Sequence, residues 1–207
     1  MSQNTSAAVM QQRHEPHDSL EDFPTPPWAT RALCERLVAL GADTSTCREP
    51  AANRGHMVRP LREVFGHVDA ADIFDYGAGF PVADYLFGPR PSLVAWTITN
   101  PPFRLAEQFI ERALDSSEDG VAMIVRSAFL EGVRRHERLF SKTPPSHVLQ
   151  FSERVVMHKG KLSPKGSTAT AYSWLVWDFA AISNRSGTQF EWVAPCRKRL
   201  ERAEDYA

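Results

Sequence analysis

The run Val94-Ala95-Trp96-Thr97-Ile98-Thr99-Asn100-Pro101-Pro102-Phe103 carries an uncharged, apolar stretch directly into an amide, two prolines and an aromatic ring. Six uncharged residues rich in β-branched and aromatic side chains predict a strand buried on both faces, as in a parallel sheet covered by helices. Asn100 offers a carbonyl oxygen that can accept from an amino N–H. Pro101 denies the segment a backbone donor, and both prolines fix φ, so the turn is stiff. Phe103 presents an apolar face for stacking. The four residues suit either a rigid strand exit capped by Asn or a clamp for a flat amino-bearing group, and the rest of the chain bears on which.

Outward from this run, strands alternate with helices. Trp28 to Leu40 places Leu33, Leu37 and Leu40 on one helical face, and Gly41 follows as a stop signal. A short strand leads into Glu49, and a helix is expected from about His56 to Phe65. A second strand spans His67 to Ala71, and Val82 to Phe87 is a candidate short element. After the buried strand, Leu105 to Leu114 reads as a helix with Phe109 and Ile110 facing inward. Val121 to Val125 reads as another buried strand, followed by a helix to about Phe140. Beyond Ser146, His147 to Phe151 and Ala171 to Trp177 are strand-like with no helix between them, which predicts an antiparallel C-terminal edge. In the latter run Trp174 and Trp177 point to opposite faces and read as packing residues. The expected class is α/β: a Rossmann-like, doubly wound, mainly parallel sheet.

In such a sheet ligands bind where strand order reverses, at the carboxyl ends of the strands. Glu49-Pro50-Ala51-Ala52-Asn53-Arg54-Gly55 occupies such a strand-to-helix turn, and Ala51, Ala52 and Gly55 allow close approach to the backbone. Asn53 stands where a glycine-rich loop carries Gly, and Asn tolerates positive φ. Asp72 follows the second strand at a spacing suited to a ribose clamp, though taken alone it reads better as a helix-capping or solvent-facing residue. Asp84, before Tyr85-Leu86-Phe87, is placed to accept from an adenine amino group.

The 207 residues suffice for one domain with a buried core. A tail at 1–21, a domain at 22–193 and a charged tail or helix at 194–207 are the expected divisions. His14 and His17 in the tail read as solvated, and no metal site is expected. A net charge of −1 means that any polyanion must be held by a local basic patch. Arg154, His158, Lys159, Lys161 and Lys165 supply one in a Gly/Ser/Pro-containing segment that reads as a flexible loop, with Arg126 and Arg134-Arg135 extending it. The same residues also suit a merely solvated loop. Three scattered cysteines, without a C-x-x-C pair, argue against a zinc site or disulfide framework. No apolar stretch approaches a membrane span, and the N-terminus lacks a signal-peptide core, so a cytoplasmic protein is expected.

Asn100-Pro101-Pro102-Phe103 resembles the (D/N)-P-P-(Y/F) motif of amino-group methyltransferases that use S-adenosylmethionine. Glu49 to Gly55 is similar to their cofactor loop, with Asn53 departing from the usual glycine. Phe23-Pro24-Thr25-Pro26 resembles the F-x-T-P element of adenine-specific DNA methyltransferases. From Asp22 to Asp178 the motif order is that of small phage- and prophage-type enzymes. The resemblance implies S-adenosylmethionine as cofactor, held by Thr25, Pro26, Glu49, Ala51, Asn53, Gly55, Asp72, Ile73, Asp84 and Asn100. It implies catalysis by Asn100, Pro101, Pro102 and Phe103: Asn100 and the Pro101 carbonyl accept from the target amino group, and Phe103 stacks on the base. DNA is the implied partner, touched by Arg126, Arg154, Lys159, Lys161 and Lys165, with methyl transfer to adenine N6. Related N-P-P-F and N-P-P-Y motifs serve RNA bases and protein glutamine, so these remain alternatives, as does a non-catalytic nucleic-acid-binding module. No sizeable recognition domain follows Asn100, which implies short or relaxed site preference.

Overall fold

In the computed structural model, which describes residues 20–184 and 187–206, the apolar run Val94–Thr99 is a central strand of one sheet. Thr46–Glu49 (β1), His67–Ala70 (β2), Val94–Thr99 (β3), Ser117–Arg126 (β4), His147–Phe151 (β5), Tyr172–Asp178 (β6) and Gln189–Val193 (β7) form one sheet. Its order is β2-β1-β3-β4-β6-β5-β7. β6 runs antiparallel to β4 and β5, and the other neighbours pair in parallel. The chain thus forms a Rossmann-like, mainly parallel sheet with an antiparallel C-terminal part. From β1 it moves out to β2, then returns to place β3 on β1's other side, so β1 and β3 diverge at their carboxyl ends. That divergence opens the ligand position.

Burial follows the sequence pattern. All six residues of β3 are buried, because helices cover both faces. Pro27–Leu40 (α1) starts with proline at its first turn, where no N–H is missed. It ends at Gly41, whose φ of 79° lets its N–H and the next close the last turn. Trp28, Leu33 and Leu37 of α1 pack into one core cluster with Trp96 and Trp174, and the Trp174 indole donates to the Ala29 carbonyl at 3.1 Å. On the other face Ala106–Asp115 (α3) presents Phe109, Ile110 and Ala113 to Val121, Leu175 and Trp177. Trp174 and Trp177 therefore do lie on opposite faces. Gly120 is obligatory between Trp96 and Trp177: a Cβ there would come within 2.4 Å of the Trp96 ring and 2.6 Å of the Trp177 carbonyl.

Several expectations need correction. The helix expected from His56 to Phe65 is a single short segment, Val58–Arg62 (α2), with hydrogen-bonded turns on either side. No continuous helix reaches Phe140. A 3-10 turn at Ser127–Leu130, a helical turn at Val133–Arg135 and a π turn at His136–Phe140 replace it. Gly132, at φ 125°, interrupts the helical path there. Val82 to Phe87 holds an isolated bridge from Val82 to Asp72 and a turn closed by the Phe87 N–H on the Asp84 carbonyl, with no strand or helix. Gln189–Val193, not anticipated as a strand, extends the sheet beyond β5. The tail with His14 and His17 lies outside the described residues. Among the described residues no helix is long and apolar enough to cross a membrane.

The segment read as a charged tail or helix forms turns at Arg197–Leu200 and Ala203–Tyr206 that dock on α1. Arg31, 7% exposed, binds Asp205 through both terminal nitrogens at 2.8 Å, donates to the Leu200 carbonyl and pairs with Glu63. Burial opposes ionisation of Asp205, but the Arg31 hydrogen bonds, the Arg202 N–H and the charges of both arginines together outweigh it and hold its pKa below the ordinary carboxylate range. Arg31→Ala leaves that carboxylate buried with the Arg202 N–H but without its salt-bridge partner, so urea unfolding is expected to show a loss of about 3 kcal/mol. Because the folded pKa of Asp205 is lowered, the pair's stabilisation is present at neutral pH and declines as pH falls through that value.

Candidate active site

A cleft of about 190 Å³, opening to solvent, sits at the divergence of β1 and β3. That is room for a nucleoside-sized ligand. Of the expected site residues, Thr25, Ala51, Asn53, Asp72, Ile73 and Asp84 line it, as do Asn100 and Pro102. Pro26, Glu49, Gly55, Pro101 and Phe103 stand behind or beside the wall.

The loop after β1 is built as its sequence suggests. Asn53 adopts φ 50° and Gly55 φ 80°, so Asn performs the left-handed turn otherwise given to glycine. The Asn53 and Phe74 N–H groups donate to the Asp72 carboxylate at 2.8 and 3.0 Å, and the Gly55 N–H closes onto the Ala52 carbonyl. Asp72 thereby ties the loop to the end of β2. Burial raises its pKa, while the N–H donors from Phe74 and Asn53 act against the rise. Asp84 accepts from the Leu86 N–H at 2.9 Å.

Glu49 is fully buried. Its Oε1 accepts from the Ala51 N–H at 2.9 Å and from the Thr99 hydroxyl at 2.5 Å, linking the loop to the last residue of β3. Oε2 has no partner among the described residues. Burial pushes its pKa up to about 8, against the pull of the Thr99 and Ala51 hydrogen bonds. Glu49 is thus a neutral acid near pH 7, joining two loops from behind the cavity.

A strap, 20–25, which includes most of the Phe23-Pro24-Thr25-Pro26 element, is laid across the ends of β1 and β3, and the parts played by Glu21 and Asp22 in it were not legible in the sequence. The Asn53 amide and the Arg54 guanidinium both bind Asp22, at 2.7 and 2.9 Å. The Phe23 carbonyl accepts from Asn100 Nδ2 at 2.9 Å. Glu21, assigned by sequence to the tail, accepts from the Phe103 N–H and pairs with Arg104. The Gly160 N–H donates to the Asp22 carbonyl at 2.8 Å. His56, Tyr76 and Tyr85 also line the cleft. They carry no motif, and only their place in the fold brings them there. Burial lowers the His56 pKa to about 4, with Arg59 adding to the effect, so its ring is neutral.

The Asn100 amide is the chemical centre of this arrangement. The Phe23 carbonyl can only accept, so the NH₂ end must face it, and Met157 sulfur lies 3.8 Å from the same nitrogen. Oδ1 is left buried with no partner among the described residues, and so is the Thr25 hydroxyl. A buried polar atom without a partner costs about 1–3 kcal/mol. Two of them on residues lining one cleft fit a ligand that supplies donors there.

Phe103 departs from its expected role as an open stacking face. The Arg126 guanidinium lies 4.1 Å from its ring centroid, and Phe23 and Tyr172 pack on the same ring. Arg135 is likewise engaged, over Phe129 at 3.9 Å and paired with Glu107. The segment read as a flexible loop is anchored at its root: Val155, Val156 and Met157 are buried, and only then does it emerge at Lys159, Lys161 and Lys165. Arg154 donates to the Ala169 carbonyl at 3.2 Å.

No family model matches the sequence, and no curated protein matches it. Solved structures share its fold, two of them as follows. A protein from Pyrococcus horikoshii assigned as an RNA methyltransferase superposes with a TM-score of 0.59 at 20% identity, over 83% of this chain and 95% of that one. A protein from Listeria monocytogenes assigned as a class I S-adenosylmethionine-dependent methyltransferase gives 0.57 at 12% identity, over 80% of this chain and 62% of that one. The fold is that of the class I methyltransferases.

Two variants check the loop and its support. Asn53→Ala keeps a Cβ at positive φ without the Asp22 tether, and is expected to lower stability by about 1–2 kcal/mol in chemical unfolding. The raised pKa of Glu49 makes ionisation oppose folding, so its contribution to stability falls as pH rises from about 4.5 to about 8 and is level above that. Glu49→Gln is expected to flatten this part of the stability–pH profile, measured by urea unfolding at each pH.

Proposed function

We propose that the protein is an S-adenosylmethionine-dependent N-methyltransferase whose acceptor is the exocyclic amino group of adenine in DNA. The observation that carries this reading is the buried, unpartnered Oδ1 of Asn100, aligned by the Phe23 carbonyl beside a nucleoside-sized cleft. An amino N–H is the donor such an oxygen lacks. Asp72, Thr25, Ala51 and Asn53 are the residues proposed to hold the cofactor, with Asp72 and Thr25 supplying acceptors for its hydroxyl and ammonium donors. Bound there, the cofactor supplies an electrophilic methyl group carried on a sulfonium.

The chain's own contribution is positional. Accepting one amino hydrogen draws the nitrogen lone pair out of conjugation with the base, and the stiff Pro101-Pro102 turn keeps Asn100 in place for it. The proton released from nitrogen passes to water, so no strong base is required. The neutral Glu49 acid supports this geometry from behind by holding Thr99 and Ala51 together. The left-handed Asn53 favours a working cofactor turn over the non-catalytic alternative, because the glycine it replaces is not needed for the observed path.

The choice of DNA adenine rests on the Phe23-Pro24-Thr25-Pro26 element and its order relative to Asn100-Pro101-Pro102-Phe103, and on the lysines beyond Met157. Calorimetric titration is expected to detect S-adenosylmethionine binding, and none to the folded protein would end the enzyme reading. Asn100→Ala is expected to lower methyl transfer about 10²-fold or more while cofactor affinity stays within a few-fold. Near-normal turnover would make the amide a strand cap only. Labelled methyl transfer to DNA, RNA and protein pools, followed by nucleoside analysis, tests the acceptor: label in N6-methyladenine of DNA is the expected result, and label confined to RNA or protein refutes it.

A further inference from the structure

We propose that Phe103, Arg126 and Tyr172 form an acceptor-nucleotide subsite in which the Arg126 guanidinium covers the stacking ring until a base displaces it, then binds that nucleotide's phosphate. The inference rests on the methyl-transfer reading above and sharpens its substrate class to a nucleotide within a strand, as against a protein amide.

Arg126 is the last residue of β4 and stands opposite Tyr172 in the antiparallel ladder. Its guanidinium carbon is 4.1 Å from the Phe103 centroid, and its head also interacts with the Tyr172 hydroxyl. Phe23 and Tyr172 pack on the same ring at centroid distances of 5.6 and 6.5 Å. These three neighbours differ in freedom to move. Tyr172 is buried within the sheet, and Phe23 is half-buried with its carbonyl holding Asn100. Arg126 alone is exposed. A planar group that reaches Phe103 from solvent therefore displaces the guanidinium.

The magnitudes favour that exchange. An exposed cation–π contact contributes roughly two- to five-fold in an equilibrium. A base stacked on an aromatic side chain contributes roughly five- to a hundred-fold. The displaced guanidinium remains charged on a long stem beside the strand that carries the base, where a phosphate accepts its paired N–H groups. A glutamine side chain offers neither an extended π face nor a phosphate, so it would uncover Phe103 without replacing either contact. Arg126 thus discriminates between acceptor classes twice, once at the ring and once at the backbone.

The test uses the full chain saturated with S-adenosylhomocysteine and two single strands of oligodeoxythymidylate carrying one adenine. In the second strand the two linkages flanking the adenine are uncharged methylphosphonates. With Arg126→Ala, the natural strand is expected to bind about ten-fold more weakly, with a salt slope shallower by about 0.7. The uncharged strand is expected to bind roughly two- to five-fold tighter, because its adenine no longer competes with a guanidinium for Phe103. Opposite signs for the two strands are the signature. Weakening of both indicates a structural role for Arg126, and an unchanged uncharged strand indicates an ordinary surface charge. Either outcome overturns the subsite alone if nucleic acid is methylated, whereas methyl label reaching only protein overturns the subsite together with the function proposed above.

Discussion

The hydrogen bond from the Asn100 amide to the Phe23 carbonyl is the contact on which the site depends. It joins residues 77 positions apart, and a carbonyl partner leaves the amide one orientation. The nitrogen is consumed inside the protein, and the oxygen is kept back for something else. Around that bond the strap orders its neighbours: Asp22 holds the loop after β1, Glu21 holds the Phe103 main chain, and Gly160 brings the basic segment against them. Strands that diverge at a switch point would otherwise leave three loops free to move separately.

Beneath the strap a second polar link runs through the interior. Glu49 reaches the Ala51 N–H on one side and the Thr99 hydroxyl on the other. A carboxylate would be strongly disfavoured in that environment, and burial keeps the group protonated near neutral pH. The loop beside Asp72 and the amide of Asn100 are therefore held in register by Glu49 from below and by Asp22 and the Phe23 carbonyl from above. The arrangement stiffens the two walls of the cleft.

The sheet and its helical cover were legible because burial imposes a pattern on the chain. Val94 to Thr99 and Val121 to Val125 are uncharged runs, and α1 shows leucines at helical spacing with a terminal glycine. The Trp174 and Trp177 spacing also translated directly into opposite faces of one strand. Two of the failures lie where burial is partial. Residues 127–140 are mostly exposed and carry a glycine at φ 125°, so helical propensity met no apolar surface that demanded a continuous helix. Gln189–Val193 presents exposed Phe190 and Trp192 at the sheet edge, an arrangement with no inward alternation to read.

By itself the sequence determined the mainly parallel sheet, the left-handed Asn53 turn and the stiff exit after Thr99. Each of these follows from local rules: side-chain period, the steric tolerance of positive φ, and the fixed φ of proline. Only the tertiary structure decided which end of the Asn100 amide faces the protein, that Glu21 belongs to the site, and that Arg126 lies over Phe103. Those outcomes depend on contacts between residues 23 to 82 positions apart, where the partner of a polar group is set by the path of the folded chain and leaves no periodic trace along it.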